Sequence, residues 1–411
     1  MKLRPVRGTH DLYGNNIKKY NNIFQTVSEF AKLFSFSEIQ TPIFEFSNLF
    51  LKPLGEQSDV VLKEMYTFKD RNDELLTLRP EYTTPMIRSA LTNNLMDDLP
   101  LKVYGIGPMF RRERPQKGRY RQFNQINFEV FGSNNFMVDL ELIILAYEIL
   151  KKLLPSKNLI LNLNSLGTSQ NLIDYKDKLK KFFNDNKSKL SQESYEKINS
   201  NPLRILDSKQ ETDIALSNKA PSINEFLSIE TKNHFEELKR GLEYHNIKYT
   251  ENHKLVRGLD YYCSTVFEFK TNNLGSQDTI LGGGRYDGLI KTLGGPDIPG
   301  IGWAAGIERI SMLMNNIKDN SKILHIAIND EKFKNHLLKL IKTLKENNIK
   351  FYWNYKYNLK KSLQKANREK ITNIIIIGEN EYNKDFYTLK KLDKGNQFEI
   401  KLNDLKKYLN D

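Results

Sequence analysis

The sequence contains one cysteine, Cys263, among 411 residues. An intramolecular disulfide and any multi-cysteine zinc site are thereby excluded. No activating base can be assigned to Cys263, which reads as a small buried residue on a strand. The six histidines (10, 234, 245, 253, 325 and 336) are scattered and form no HExxH pair, so no protein-held metal is expected. No apolar run approaches the roughly 20 residues that span a bilayer. The start, "MKLRPVRGTHDLYG", lacks the apolar stretch of a secretory signal, which leads us to expect a cytoplasmic protein without membrane contact. Also missing are a GxxxxGK[ST] loop, a kinase-like signature and a GxGxxG opening a βαβ unit. Any phosphate site is therefore neither a P-loop nor a Rossmann site.

With 39% hydrophobic and 27% charged residues, the composition is that of a globular chain of two or three domains. The net charge is +13, and residues 321–411 alone carry 20 Lys+Arg against 11 Asp+Glu, a net +9. Such a surface suits a polyanion, because each neutralised phosphate releases counterions. A solvated lysine-rich surface would have the same composition.

The pattern changes along the chain. Residues 16–34 have helical spacing, with Ile23, Val27, Phe30 and Phe34 on one side, and 36–46 form an extended segment interrupted by Pro42. "LKVYGIGPMFRRE" and "QFNQINFEVFG" read as two strands bracketing a loop, followed by a helix over 138–153. Residues 165–253 become lysine- and asparagine-rich helices, and 172–200 has no strand-like run, which suggests a helical insertion. Glycine-rich, strand-like character returns over 254–317. Residues 318–411 then alternate βαβαβ, the signature of a small separate α/β domain.

The loop "FRRERPQKGRYRQFNQ" (110–125) carries five arginines and one lysine against a single acid, Glu113. Period two along 122–131 places Phe123, Gln125, Asn127, Glu129 and Phe131 on one face. A buried Glu129 would need a partner, whereas a strand with one wet side would show the same alternation. In "KLVRGLDYYCSTVFEF", Tyr262, Ser264, Val266 and Glu268 would share a face in the same way. Gly282, Gly283 and Gly284 let backbone come close to a ligand. "GIGWAAGIERISML" starts loose and becomes a helix bearing Arg309. Arginines at 111, 119, 257 and 309 suit a polyphosphate, since guanidinium binds its oxygens in a planar fork and keeps its charge.

These segments resemble a class II aminoacyl-tRNA synthetase, and specifically the histidyl-tRNA synthetase family. "FRRERPQKGRYRQFNQ" is similar to motif 2, "GIGWAAGIER" to motif 3 and the Pro42 region to the dimer-forming motif 1. "LVRGLDYY" and "GGGRYDGL" resemble two peptides particular to the histidine enzyme, with further matches at "RGTHD" (7–11) and "LRPEYT" (78–83). The resemblance implies an α+β fold: a class II antiparallel sheet flanked by helices, with a helical insertion and a C-terminal α/β anticodon-binding domain. Its boundaries would be 1–164 and 254–317 for the two parts of the catalytic domain, 165–253 for the insertion and 318–411 for the anticodon-binding domain. It also implies a homodimer acting on L-histidine, ATP with accompanying Mg2+, and histidine tRNA.

The family's site residues, carried onto matching positions, give each side chain an expected role. Arg111 and Arg257 would be the catalytic arginines at the α-phosphate, while Arg119 and Arg309 hold the outer phosphates. Glu113 and Phe123 would bind adenine. Glu81 and Thr83 would hold the α-amino group, with Gln125 near the backbone end of histidine. Glu129, Tyr262 and Tyr286 would read the imidazole, with Tyr261 lining the pocket. Arg114 and Gln116, at the basic tip, would meet the tRNA acceptor end. The chain departs from the usual pattern at Tyr82, Thr84 and Pro85, and Asn124 stands where bacterial enzymes commonly have histidine. The rival reading is the histidine-binding regulatory subunit of ATP phosphoribosyltransferase, which shares the catalytic-domain fold but typically lacks the anticodon domain and the full arginine set.

Overall fold

The computed structural model describes residues 3–55, 58, 60–273, 278–317, 323–369 and 371–410. The chain divides into two units, Met1–Ile317 and Lys318–Asp411. Strands of the first unit are β1 (Ser37–Glu38), β2 (Phe44–Phe46), β3 (Tyr66–Lys69), β4 (Leu75–Leu78), β5 (Leu101–Phe110), β6 (Gln122–Phe131), β7 (Ile160–Ser165), β8 (Tyr249–Glu251), β9 (Cys263–Lys270), β10 (Thr279–Arg285) and β11 (Gly300–Gly306). Eight of them form one sheet in the order β1-β5-β6-β11-β10-β9-β7-β8. The sheet is antiparallel from β5 to β7 and parallel only where β1 joins β5 and β8 joins β7. β6 and β11, far apart in sequence, lie side by side, so the two glycine- and arginine-rich regions share one surface.

Alternation along β6 separates two environments, as period two requires. Ile126, Phe128 and Val130 enter the main core. The Phe128 ring stacks on Trp303 at 4.7 Å and on Tyr104 at 5.3 Å. The core is closed by the helix Gly14–Leu33, which buries Ile23, Val27 and Ala31, and by Phe136–Leu153, which buries Leu142, Leu145, Ala146 and Ile149. Asn135 caps the second helix by accepting from the Met137 amide at 2.9 Å.

Three segments differ from the sequence-based expectation. "GIGWAAG" is not loose: it is β11, paired on both sides, and its small residues are what the crowding demands. A Cβ on Gly302 would sit 1.6 Å from Glu129 Oε2 and 2.6 Å from the Phe128 carbonyl oxygen. The common face expected for Tyr262–Glu268 is broken, because Ser264 has φ +46° and the β9–β10 register shifts there. Tyr262 consequently precedes the strand, and Cys263 packs with Val266. The segment 165–253 is not wholly a helical insertion. Its end supplies β8 and the helix Ile229–Tyr244, whose Phe235, Leu238 and Leu242 belong to the main core. Gly241 permits that close packing, since a Cβ there would meet Leu140 at 2.4 Å. The remaining insertion helices bury their own cluster around Leu172, Tyr175, Leu179 and Phe183.

β2, β4 and β3 form a separate three-stranded sheet. It leaves Phe44, Phe46, Phe68 and Leu75 exposed.

In the second unit β12 (Leu324–Ile328), β13 (Phe351–Tyr357), β14 (Asn373–Ile377), β15 (Tyr387–Lys391) and β16 (Asn396–Ile400) form a sheet ordered β13-β12-β14-β15-β16. The first three are parallel, joined through the helices Lys334–Glu346 and Leu359–Arg368, as the βαβαβ alternation predicts. The antiparallel hairpin β15–β16 is an addition that the lysine-rich sequence conceals.

Replacing Gly302 by alanine is expected to destabilise the first unit by about 1–3 kcal/mol through overpacking. Urea unfolding would show a lowered midpoint at unchanged slope; an unchanged midpoint would contradict the contact with Glu129.

Candidate active site

The helix Thr83–Thr92 begins against a carboxylate. Glu81 Oε2 accepts from the Thr83 amide at 2.7 Å, and Oε1 from the Thr84 amide at 2.9 Å and the Thr84 hydroxyl at 2.5 Å. These first-turn amides would otherwise lack partners, and the helix dipole favours an anion there. The Thr83 hydroxyl points the other way and donates to Glu129 Oε1 at 2.7 Å. Glu129 also receives the Tyr286 hydroxyl on Oε2 at 2.5 Å and the Asn127 amide at 3.4 Å. Burial outweighs these three donors, and Glu81 adds to it, so the Glu129 carboxyl is pushed up to about 8. The open question about this strand is resolved: Glu129 is buried and paired.

Arg257 is aimed by a second buried carboxylate. Its Nη1 lies 3.2 Å from Glu268 Oε2, which also accepts from the Thr279 hydroxyl at 3.0 Å. Lys270 holds the other oxygen at 2.8 Å. Burial works against charge on Glu268, but Arg257 and Lys270 prevail and keep its carboxyl below the ordinary range. The guanidinium lies across Gly282, where a Cβ would come within 1.9 Å of Nη2. That glycine therefore makes room for an arginine, and Gly283 for the Gly302 carbonyl at 2.2 Å, rather than for a ligand directly.

The other arginines are anchored by carbonyls. Arg111 Nε donates to the Pro80 carbonyl at 2.8 Å; Arg309 donates to those of Gly118 at 3.2 Å and Thr279 at 2.7 Å. Arg119 pairs with Glu113 at 3.2 Å. Burial, with Arg119 and Arg111 nearby, lowers the proton affinity of Arg309. Cations crowded in this way favour the arrival of an anion.

One cavity joins these groups. Glu81, Thr83, Arg111, Glu113, Arg119, Phe123, Gln125, Arg257, Tyr261, Tyr262 and Arg309 all line it. Glu129 and Tyr286 are not on its surface; they are buried and reach it through Thr83 and Asn127. Arg114 and Gln116 lie apart, exposed on the loop, where Gln116 and Arg119 exchange backbone hydrogen bonds at 3.2 and 2.9 Å. Four buried polar atoms of wall residues, Glu113 Oε2, Gln125 Oε1, Asn127 Oδ1 and Arg257 Nε, have no hydrogen-bond partner among the described residues, although the first is ion-paired with Arg119. Such atoms are rare in proteins and here await a polar ligand. Among the described residues, no group of three His, Cys, Asp or Glu side chains is assembled to hold a metal ion.

Sequence reasoning did not assign Glu268, Asn127, Thr279 or Glu308 to the site. The period of β9 and β6 contained the signal for the first two. For Glu308 the signal was its place in "GIGWAAGIER", beside Arg309, although its partner Asn124 is far away in sequence.

The family model for histidyl-tRNA synthetase matches residues 8–310, and a model for an anticodon binding domain matches 321–411. The chain belongs to the histidyl-tRNA synthetase family. A family relative, the histidine–tRNA ligase of Orientia tsutsugamushi (strain Boryong), is 41% identical over 100% of this chain and 98% of its own length. The apo histidyl-tRNA synthetase of S. aureus overlays with a TM-score of 0.81 at 32% identity, covering 99% of both chains. A protein from Bacillus halodurans C, titled ATP phosphoribosyltransferase regulatory subunit/histidyl-tRNA synthetase, overlays at 0.68 with 18% identity over 92% of this chain and 99% of its own, a likeness of fold alone.

The departures from the family pattern now have structural accounts. Tyr82 turns away from the cavity: its hydroxyl donates to the Ile39 carbonyl at 3.2 Å and its ring packs beneath Gly105. The Arg79 guanidinium lies 4.2 Å from the centre of that ring. Thr84 gives Glu81 an additional donor. Asn124 binds Glu308 through its backbone amide at 2.9 Å and its side chain at 3.0 Å, so it orders motif 3. For Pro85 the structure offers no account beyond its place in the helix's first turn, where proline is tolerated.

The burial of Glu129 sets a pH dependence. Its carboxyl moves from an ordinary 4.5 up to about 8 in the folded chain. Between those values the folded state retains a proton that the unfolded state has released, so this group's contribution to stability falls as pH rises. In the absence of ligand, the wild-type urea midpoint relative to that of Glu129→Gln is expected to decline from pH 5 to pH 8. A constant difference would contradict the assignment.

Proposed function

We propose that this chain is a histidine–tRNA ligase that makes histidyl-adenylate from L-histidine and ATP, releases pyrophosphate, and transfers histidine to the 3′ end of histidine tRNA with release of AMP. The observation that carries the reading is the single cavity in which four arginines meet unpartnered polar atoms over a buried, paired Glu129. Full-length relatives that bear the ligase name favour it over the regulatory-subunit alternative, as does the match of the second unit to an anticodon binding domain.

In this reading the histidine carboxylate attacks the α-phosphorus. Arg257, fixed by Glu268, and Arg111, fixed by the Pro80 carbonyl, meet the charge that develops there. Because both are held before reaction, little reorganisation is needed in the transition state. Arg119 and Arg309 take the outer phosphates and the departing pyrophosphate. Glu113 and Phe123 receive adenine. Glu81 and Thr83 hold the α-amino group with Gln125 at the backbone end; Tyr262 and Tyr261 meet the imidazole, and Glu129 and Tyr286 read it from behind, through Thr83 and Asn127. A site built to hydrogen-bond both ring nitrogens rejects analogues that lack them, because its own polar groups would stay unpaired. Magnesium enters with ATP as part of the substrate. The acceptor hydroxyl of tRNA then attacks the adenylate carbonyl, with Arg114 and Gln116 beside the acceptor end. The basic second unit meets the anticodon region, and these substrates assign the enzyme to the cytoplasm. No helix among the described residues is long and apolar enough to cross a membrane.

The apolar face of the small sheet supports a homodimer. Phe44 is 53% exposed and Phe46 54%, and Phe46 lies across Leu76 from the exposed Phe68 on the same face, a contiguous patch of the kind that marks an interface. Phe44→Glu with Phe46→Glu is expected to convert a dimer into a monomer in analytical ultracentrifugation; an unchanged sedimentation coefficient would reject this face.

ATP–pyrophosphate exchange tested across the twenty amino acids is expected to respond to histidine alone. Arg257→Ala is expected to lower its kcat by about 10²–10³-fold. Histidine binding without any exchange in the wild type would support the regulatory reading instead.

A further inference from the structure

Arg257 leaves the backbone in the irregular stretch between β8 and β9, and a strand does not fix that stretch. Its guanidinium is held by Glu268, but the backbone from which it projects has a different anchor. The Gly258 carbonyl accepts a hydrogen bond from Arg204 Nη2, and Asp260 Oδ1 accepts from Asn201 Nδ2 at 2.8 Å. Both donors belong to the helical insertion: Asn201 ends the helix Gln192–Ser200, and Arg204 lies in the short helix Leu203–Leu206 that follows. Neither lines the cavity.

The insertion makes a firm base for these donors. Asp213 is fully buried and accepts from the Ser191 amide at 2.8 Å and from the hydroxyls of Ser191 at 2.7 Å, Ser194 at 2.6 Å and Ser208 at 2.7 Å. Ser191 and Ser208 flank the two helices and Ser194 lies within the first, so one carboxylate ties down the segment that carries Asn201 and Arg204. The Arg204 amide in turn donates to the Asn201 carbonyl at 3.1 Å. On the other side, Leu255 and Val256, just before Arg257, pack into the insertion's own cluster.

We propose that Asn201 and Arg204 are positioning residues for Arg257, fixing from the insertion the backbone that sets where its guanidinium meets the α-phosphate. The proposal rests on the ligase reading of Arg257. A displacement of about 1 Å in such a group costs on the order of 10²-fold in rate. The insertion thereby contributes to amino-acid activation, a step that involves no tRNA.

The test is histidine-dependent ATP–pyrophosphate exchange without tRNA, on the full chain. Arg204→Ala and Asn201→Ser are each expected to lower kcat by about 10- to 100-fold. The KM values for ATP and histidine should change much less. Arg204→Lys, which keeps a donor for the carbonyl, should recover part of the loss. In the Arg257→Ala background, Arg204→Ala should have no further effect, because the group it positions is gone. Wild-type exchange rates in the variants would overturn the proposal. So would an equal loss in the Arg257→Ala background, which would indicate general damage to the fold, or a loss confined to tRNA aminoacylation, which would make Arg204 a tRNA contact. Circular dichroism on each variant separates misfolding from mispositioning, and Arg204→Lys carries the test if Arg204→Ala does not fold. A wild-type protein without histidine-dependent exchange would instead refute the ligase reading, and this proposal with it.

Discussion

The arrangement of the site depends on a buried ion pair that lies outside it. Arg285, at the end of β10, sets Nη2 2.6 Å and Nε 3.1 Å from the Asp139 carboxylate, and both side chains are almost wholly enclosed. Burial opposes the charge on Asp139, yet Arg285 and His234 hold its carboxyl below the ordinary range. Three elements meet here: Asp139 comes from the helix Phe136–Leu153, His234 from Ile229–Tyr244, and Arg285 also donates to the Ser133 and Asn135 carbonyls at 3.2 and 3.3 Å. Tyr286, the next residue, carries the hydroxyl that binds Glu129. Removing either charge of such a pair leaves the other buried alone and is typically costly by about 3–5 kcal/mol. The price is high because the pair holds the end of β10 and, through the next residue, the Tyr286 hydroxyl on Glu129.

Around that anchor, space is allotted by the absence of side chains. Gly282 admits Arg257, and Gly302 admits the Glu129 carboxylate. Glycine weakens a strand by giving it nothing to pack and more entropy to lose. Here both glycines are flanked by paired strands, so the ladder supplies the order that the side chains do not. Polar and charged groups thus lie against backbone in the middle of a sheet: Arg257 is matched by Glu268 on β9, and Glu129 is met by the hydroxyls of Thr83 and Tyr286.

Much of the site was legible in the sequence where its signal is periodic or unusual in composition. The alternation of β6 placed Gln125, Asn127 and Glu129 together, and the arginines of the loop stood out against a single acid. The βαβαβ pattern of the second unit was likewise clear because buried parallel strands are continuous apolar runs, as in "NIIII". The rest was hidden for physical reasons. The strand β11 is built of glycine and alanine, whose low β-propensity is overridden by pairing on both sides. The positive φ of Ser264 breaks a period that residue types alone do not reveal. Glu308, for all its place beside Arg309, looks like an ordinary glutamate until the fold brings Asn124 to it. The end of the insertion reads as polar helix because only its Phe235, Leu238 and Leu242 face inward.

The crowding of Arg111, Arg119 and Arg309 also bears on which way the reaction runs. Arg309 is depressed in its proton affinity by burial and by its two cationic neighbours, with Glu113 offsetting part of the effect, so like charges are gathered on one wall of the cavity. Whatever relieves that repulsion is retained. On the proposed ligase reading the triphosphate tail would relieve it, and so would the pyrophosphate that tail becomes, because the charge would pass from one to the other without leaving the arginines. Electrostatics alone therefore gives the activation step little direction. Net flow through the site is set by how fast pyrophosphate is removed from solution and how soon the adenylate is consumed, and an accumulating by-product turns the same residues to the synthesis of ATP.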